Sequence, residues 1–279
     1  MPVSDQFKIP VTNLPEPQQE NPVIFEKSDE LSSGSTADQT LGQIVAKDAG
    51  KAEIFNRYGL DFCCGGKKTL KEACIEKGLD TAKIEQELQQ VNRSFFIHDL
   101  PYNDWKPGFL ADFIVNTHHS YVKRTLPEIK NLALKVMTAH GKSHPELLMI
   151  MQLVEDIYTE MFSHMIKEEE ILFPFIKQLD AAVEFQSMKS PLFDTIQSPI
   201  SMMEAEHEYV GKSLEEIRKL SNNYYLPGDA CASYSLLYQM LTEFESDLHT
   251  HIHLENNILF PKALQMEKTV MDNTGSLPV

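Results

Sequence analysis

The chain is poor in the residues that announce disulfide-built or membrane-bound architectures. Four cysteines in 279 residues, two of them adjacent, cannot make a disulfide framework, and a reducing compartment keeps such thiols reduced most of the time. No apolar run approaches the roughly 20 residues that a membrane-spanning helix needs. Pro2, Asp5 and Pro10 stand where a signal peptide carries a basic and then an apolar stretch, so a cytoplasmic location is expected. Positive charge is also scarce. With 25 Lys and Arg against 41 Asp and Glu, the net charge of −16 argues against nucleic acid or an anionic membrane surface as partners.

What the chain does contain is a duplicated pattern, His-x-x-x-Glu-x-x-x-Leu-Phe-Pro. It occurs as His164, Glu168, Leu172, Phe173, Pro174 and again as His251, Glu255, Leu259, Phe260, Pro261. Another histidine precedes each copy, His119 by 45 residues and His207 by 44. Residues four apart share one helix face, so each His-Glu pair can grip one site together. Four helices carrying these groups converge on the middle of a bundle, where paired metal ions are commonly held. The expected inventory is two histidines per metal and two shared glutamates.

Helical periodicity predicts an all-α fold whose main part is an antiparallel four-helix bundle, with helices near 109–139, 145–178, 200–222 and 231–266. Pro127 falls inside the first and is expected to kink or split it. The organisation expected is a disordered or extended tail at 1–37, a small helical domain at 38–94, a linker at 95–108 and the bundle at 109–267. Asp80 or Thr81 is expected to cap the last small helix.

Inward-facing ligands must share a stripe with apolar residues. His164 and Glu168 lie with Leu153, Ile157, Met161 and Leu172; His251 and Glu255 lie with Leu241, Phe244, Leu248 and Leu259; His207 lies with Met203, Val210 and Leu214. His119 shares the stripe of Ala111, Val115, Val122 and Leu126, a better one than that of its neighbour His118. Six ionisable groups at one level are costly to bury without a cation. Imidazole and carboxylate donors without thiolate favour iron. Glu160 and Glu206 are candidates to contact the ligands from outside or to receive a departing cation. His98, His140, His144, His249 and His253 read as solvated surface residues, and Cys74 and Cys231 as ordinary apolar helix residues.

Cys63 and Cys64 sit in Asp61-Phe62-Cys63-Cys64-Gly65-Gly66, ahead of Lys67, Lys68 and a short helix. A helix amino terminus and adjacent lysines predict lowered thiol pKa values, hence a redox or metal-binding thiol pair.

Together these residues resemble the iron-sulfur cluster repair di-iron proteins, known as RIC, for repair of iron centres. The resemblance rests on the cysteine turn, both His-x-x-x-Glu-x-x-x-Leu-Phe-Pro motifs and Glu206-His207-Glu208, and spans about Thr40 to Leu264. It implies a hemerythrin-like bundle holding two non-haem iron ions, oxo-bridged, on His119, His164, Glu168, His207, His251 and Glu255. It further implies a bacterial protein that restores clusters damaged by nitrosative or oxidative stress, by supplying iron to damaged iron-sulfur proteins or an assembly scaffold. Nitric oxide or oxygen is the implied small ligand. An oxygen or nitric oxide sensor and a nitric oxide reductase are the alternative functions, an iron-donating protein being favoured over an enzyme, and the oligomeric state is open, a homodimer included. Oxygen-carrying hemerythrins place a second histidine four residues along the third helix, where this chain has Gly211.

Overall fold

A computed structural model describes residues 36–90, 100–185 and 195–274. The predicted tail up to residue 35, the first part of the 95–108 linker with His98, and residues 191–194 of the central connection lie outside the described residues. The described chain is all-α, with eight helices and no strand.

Four short helices come first: α1 (Leu41–Lys47), α2 (Ala52–Tyr58), α3 (Leu70–Lys77) and α4 (Thr81–Gln90). Their ends are written in local chemistry. Thr40 and Gln43 form a reciprocal capping box on α1, as do Thr69 and Glu72 on α3, each satisfying two otherwise orphaned amides. Gly59 and Gly78 end α2 and α3 at φ 63° and 65°, a left-handed conformation that favours glycine. Asp80, one of the two residues expected to cap α4, accepts the amides of Ala82 and Lys83. Thr36–Asp38 form a short 3-10 turn whose Ala37 amide donates to Glu85, so the last residues of the expected tail are folded here.

Four long helices follow. Helix α5 runs through Pro107–Ile114, Val115–His119 and Ser120–His140; α6 through Glu146–Lys167, Glu168–Leu172 and Phe173–Phe185; α7 is Gln197–Leu220; α8 runs through Ala232–Leu254, Glu255–Leu259 and Phe260–Thr274. The middle segments of α5, α6 and α8 are π-helical. Pro127 does not split α5. It lies inside the regular stretch Ser120–His140, and the irregularity falls earlier, in the π segment.

The core explains why the site is where it is. Two separate apolar clusters fill the described structure. Along α5 one cluster ends at Ile114 and the other begins at Val122; along α6 the order reverses, from Met165 to Leu172. Helix α7 passes from Met203 to Val210, and α8 from Ile252 to Leu254, again in alternating order. The four helices are therefore antiparallel in sequence order, and one polar layer separates two apolar halves.

The short helices pack on one side of this bundle. The amide of Gly42 donates to the carbonyl of Gly66 at 2.9 Å, and Asn257 of α8 donates to the carbonyl of Phe62 at 3.2 Å. A Cβ at Gly42 would lie 2.1 Å from the Asn257 side chain, which would have to move aside. Trp105 packs with Tyr102, Phe109 and Phe113 against the apolar half that contains Leu110, Phe173 and Phe260.

Candidate metal centre

All six residues expected to bind metal meet in the polar layer, and all are buried. His119 and His251 face each other with Nε2 atoms 3.2 Å apart, and His164 and His207 do so at 3.0 Å. The pairs cross the sequence repeat, since each joins one histidine from either half. Glu168 and Glu255 belong to both sets: His119, Glu168, His251 and Glu255 form one possible cation group, and His164, Glu168, His207 and Glu255 the other. Glu168 Oε2 lies 3.3 Å from His119 Nε2 and 3.2 Å from His164 Nε2. Glu255 lies 3.0 Å from His251 through Oε1 and 3.1 Å from His207 through Oε2.

The helices supply these groups at the segments where their hydrogen-bond ladder changes. His119 ends one π segment, and Glu168 and Glu255 each begin one. Single-turn π bulges often mark functional sites in helices. Helix α7, which presents only His207, is regular throughout.

Both oxygens of Glu168 and Oε2 of Glu255 are buried without a hydrogen-bond partner. Such orphaned carboxylate oxygens demand compensation, and a cation between the carboxylates and the converging Nε2 atoms supplies it. The donor set fits iron. In the metal-free protein protons do part of that work. Burial pulls the His119 imidazolium down, but Glu168 and Glu255 outweigh it and hold it at about 9. Burial opposes His164 in the same way, and Glu168 and Glu206 carry it to about 10. Burial and repulsion from Glu255 work against the Glu168 carboxylate, yet His164 and His119 bring it down to about 2.

Outside contacts fix three of the four rings. His164 Nδ1–H donates to Glu206 Oε2 at 2.8 Å, and His119 Nδ1–H donates to Glu169 Oε1 at 2.7 Å. Lys167 pairs with Glu206, and Lys123 with Glu169. His207 Nδ1–H donates to Asn256 Oδ1 at 2.9 Å. These bonds leave Nε2 free for a cation. His251 Nδ1 has no such partner; its ring stacks on His118 at 5.6 Å. Of the two outer candidates, Glu206 reaches a ligand, whereas Glu160 is half-buried and makes no hydrogen bond to His164. Glu169 and Asn256 were missed, although each directly follows a motif glutamate.

Several expectations need correction. His253 is buried, not solvated: it lies edge-on to Phe62 at 5.6 Å and contacts Asn257. His249, His140 and His144 are half-buried, the last paired with Asp229. His118 is buried and donates to Asp247 at 2.9 Å. Cys74 is buried as expected, but Cys231 is exposed at the N-cap of α8, its Sγ 3.2 Å from His140 Nε2.

The environment of Cys63 is the reverse of the one expected. The cysteines stand six or more residues ahead of α3, and Lys67 and Lys68 are paired with Glu204 and Glu76. Contact with Cys64, then burial and the Asp61 carboxylate, push the Cys63 thiol well above its ordinary value. Cys64 Sγ–H points at the carbonyl of His207, 3.5 Å away. A Cβ at Gly211 would lie 3.4 Å from that sulfur, at ordinary contact distance. Gly211 therefore faces the small helical part.

Comparison with known proteins agrees with this arrangement. Residues 111–263 match a family described as a hemerythrin HHE cation binding domain, and residues 37–92 match a domain of unknown function, DUF542. The chain is 39% identical over 233 residues to a Haemophilus influenzae protein named "Probable iron-sulfur cluster repair protein", covering 82% of this chain and 98% of that one. It is 37% identical over 234 residues to an Enterobacter sp. protein and 36% identical over 234 residues to one from Escherichia coli, both named "Iron-sulfur cluster repair protein YtfE", with the same two coverages.

Proposed function

The chain belongs to the iron-sulfur cluster repair protein family, and from that premise we propose that it restores damaged iron-sulfur clusters by giving up iron held in its polar layer. Two iron ions are assigned, one to His119 and His251, the other to His164 and His207, with Glu168 and Glu255 shared between them. The observation that carries this reading is the sharing itself: both carboxylates belong to both donor groups, and three of their four buried oxygens have no hydrogen-bond partner. Iron in this site supplies the cargo for repair.

The protein's own groups govern loading and release. Glu169, Glu206 and Asn256 hold the Nδ1–H of three rings and so present Nε2 inward. Glu169 and Glu206 are partly exposed, which gives His119 and His164 a polar route to solvent for the protons a cation displaces. Glu168 and Glu255 would each contribute to holding both ions. The domain organisation proposed is the small helical part at 38–94, the linker at 95–108 and the bundle at 109–267. Nitrosative or oxidative damage is the proposed occasion for repair, damaged iron-sulfur proteins or an assembly scaffold the recipients, and the cytoplasm the compartment. Among the described residues no helix is long and apolar enough to cross a membrane.

The test is repair itself. Protein reconstituted anaerobically with iron is mixed with a purified iron-sulfur protein whose cluster has been damaged, with sulfide and reductant supplied. Recovery of the recipient's cluster that tracks iron lost from this protein is expected. A fully loaded protein that restores nothing beyond an equal amount of free iron would overturn the reading.

A further inference from the structure

The turn that carries the cysteine pair is built around one carboxylate. Asp61 Oδ1 accepts the amides of Cys63 and Cys64, both at 3.0 Å, and Oδ2 accepts the amide of Gly65 at 2.9 Å. The two glycines that follow permit the turn: a Cβ on Gly65 would lie 2.8 Å from the Asp61 carbonyl, and one on Gly66 would lie 2.4 Å from the Phe62 carbonyl. One donor atom each from Asp61, Cys63 and Cys64 falls within 4.8 Å of the others. The two thiols border a cavity of about 280 Å³ whose other walls include Glu204, Glu208 and Asn256.

We propose that Asp61, Cys63 and Cys64 form a second cation site, outside the polar layer, that takes a divalent ion of borderline softness such as iron(II). Two thiolates and a carboxylate suit such an ion better than magnesium or calcium. A proton keeps the place: the Cys63 thiol donates to Asp61 Oδ1 at 3.1 Å, and the cation replaces that proton. On binding, two S–H bonds break, two metal–sulfur bonds form and two protons pass to solvent. No group is oxidised or reduced.

Its role rests on the repair function proposed above. Asn256 is both a wall of the cavity and the acceptor for His207 Nδ1–H, and Cys64 Sγ lies against the His207 backbone. On this proposal an ion that leaves the His164 and His207 side past Asn256 is taken up by the thiols. The cysteine pair is then a station between the buried ions and a recipient.

Cadmium(II) added to the full chain with its bundle already loaded with iron is the probe. One equivalent is expected to bind with a thiolate-to-metal charge-transfer band, iron content being unchanged, and the band is expected to vanish in Cys63→Ser and in Cys64→Ser. Absence of the band in the parent, or its survival in the double variant, would overturn the site. Retained iron and an unchanged far-ultraviolet circular dichroism spectrum show that the variants are folded; Cys63→Ala with Cys64→Ala serves if the serines are not. For the station, iron passage from the loaded double variant to a chelator is expected to slow about tenfold, the scale of a lost metal contact. Unchanged passage would overturn that role. A parent protein that binds cadmium as described but repairs no cluster would refute the repair function and leave the site standing.

Discussion

Glu206 accepts the Nδ1–H of His164 at 2.8 Å while Lys167 holds its other oxygen, so the ring that faces the polar layer is oriented from the surface of the bundle. Replacing Glu206 with Ala removes the orienting acceptor but no metal donor. Partners of this kind are worth about 10- to 100-fold in metal affinity. Competition with a chelator is expected to show iron weakened by that factor, with Glu160→Ala near the parent value.

Sharing of the two carboxylates sets a second expectation. Glu168→Ala and Glu255→Ala each remove a donor from both cation groups, so iron content should fall for the pair together. A full equivalent of tightly held iron in either variant, measured by metal analysis after gel filtration, would mean that each carboxylate serves one ion.

Much of the site was legible because helix geometry turns sequence spacing into direction. His164 with Glu168, and His251 with Glu255, interrupt apolar stripes at the same level, and the repeat supplied His119 and His207. The outer contacts were harder to read. Glu169 and Asn256 follow motif glutamates by one residue, which on a regular helix points them about 100° away; the π segments and the neighbouring helix decide what they meet. His253 was misread because its covering group, Phe62, comes from a distant part of the chain. The cysteine turn was misread for a local reason, its helix-terminus and lysine effects giving way to the neighbouring Cys64, to burial and to Asp61.

Acid should strip the site, and the sign follows from the histidines. Without metal, His119 and His164 titrate near 9 and 10, so at neutral pH both hold protons that an incoming cation must expel. Apparent affinity should rise with pH by roughly tenfold per unit for each ion, one proton being displaced from each histidine pair, until those values are reached. In the metal-free protein the same two imidazolium ions stabilise the fold fully below their unfolded pKa of about 6.5, and that contribution is lost as pH rises through 9 to 10. Anaerobic titration with a pH indicator should register about two protons per pair of ions at pH 7.

Gly66→Ala tests the seam between the short helices and the bundle. Its Cβ would meet the Phe62 carbonyl at 2.4 Å and the Asn257 side chain at 2.6 Å, and backbone cannot yield as a side-chain tip can. A loss of about 1 to 3 kcal/mol is expected from such overpacking, read as a lower Tm. A variant as stable as the parent would show that the turn is looser than described.

The π segments have a consequence for how the chain tolerates change in length. Each behaves like a one-residue insertion absorbed inside a helix, so α5, α6 and α8 run in one rotational phase before the polar layer and in another after it. Deleting one residue from Glu255–Leu259 would restore a regular ladder and turn everything beyond by about 100°, carrying Phe260 and Ala263 out of the apolar half they share with Leu110 and Phe173. The chain can drift in its connecting segments, but at these three places its residue count is as fixed as the identity of the ligands.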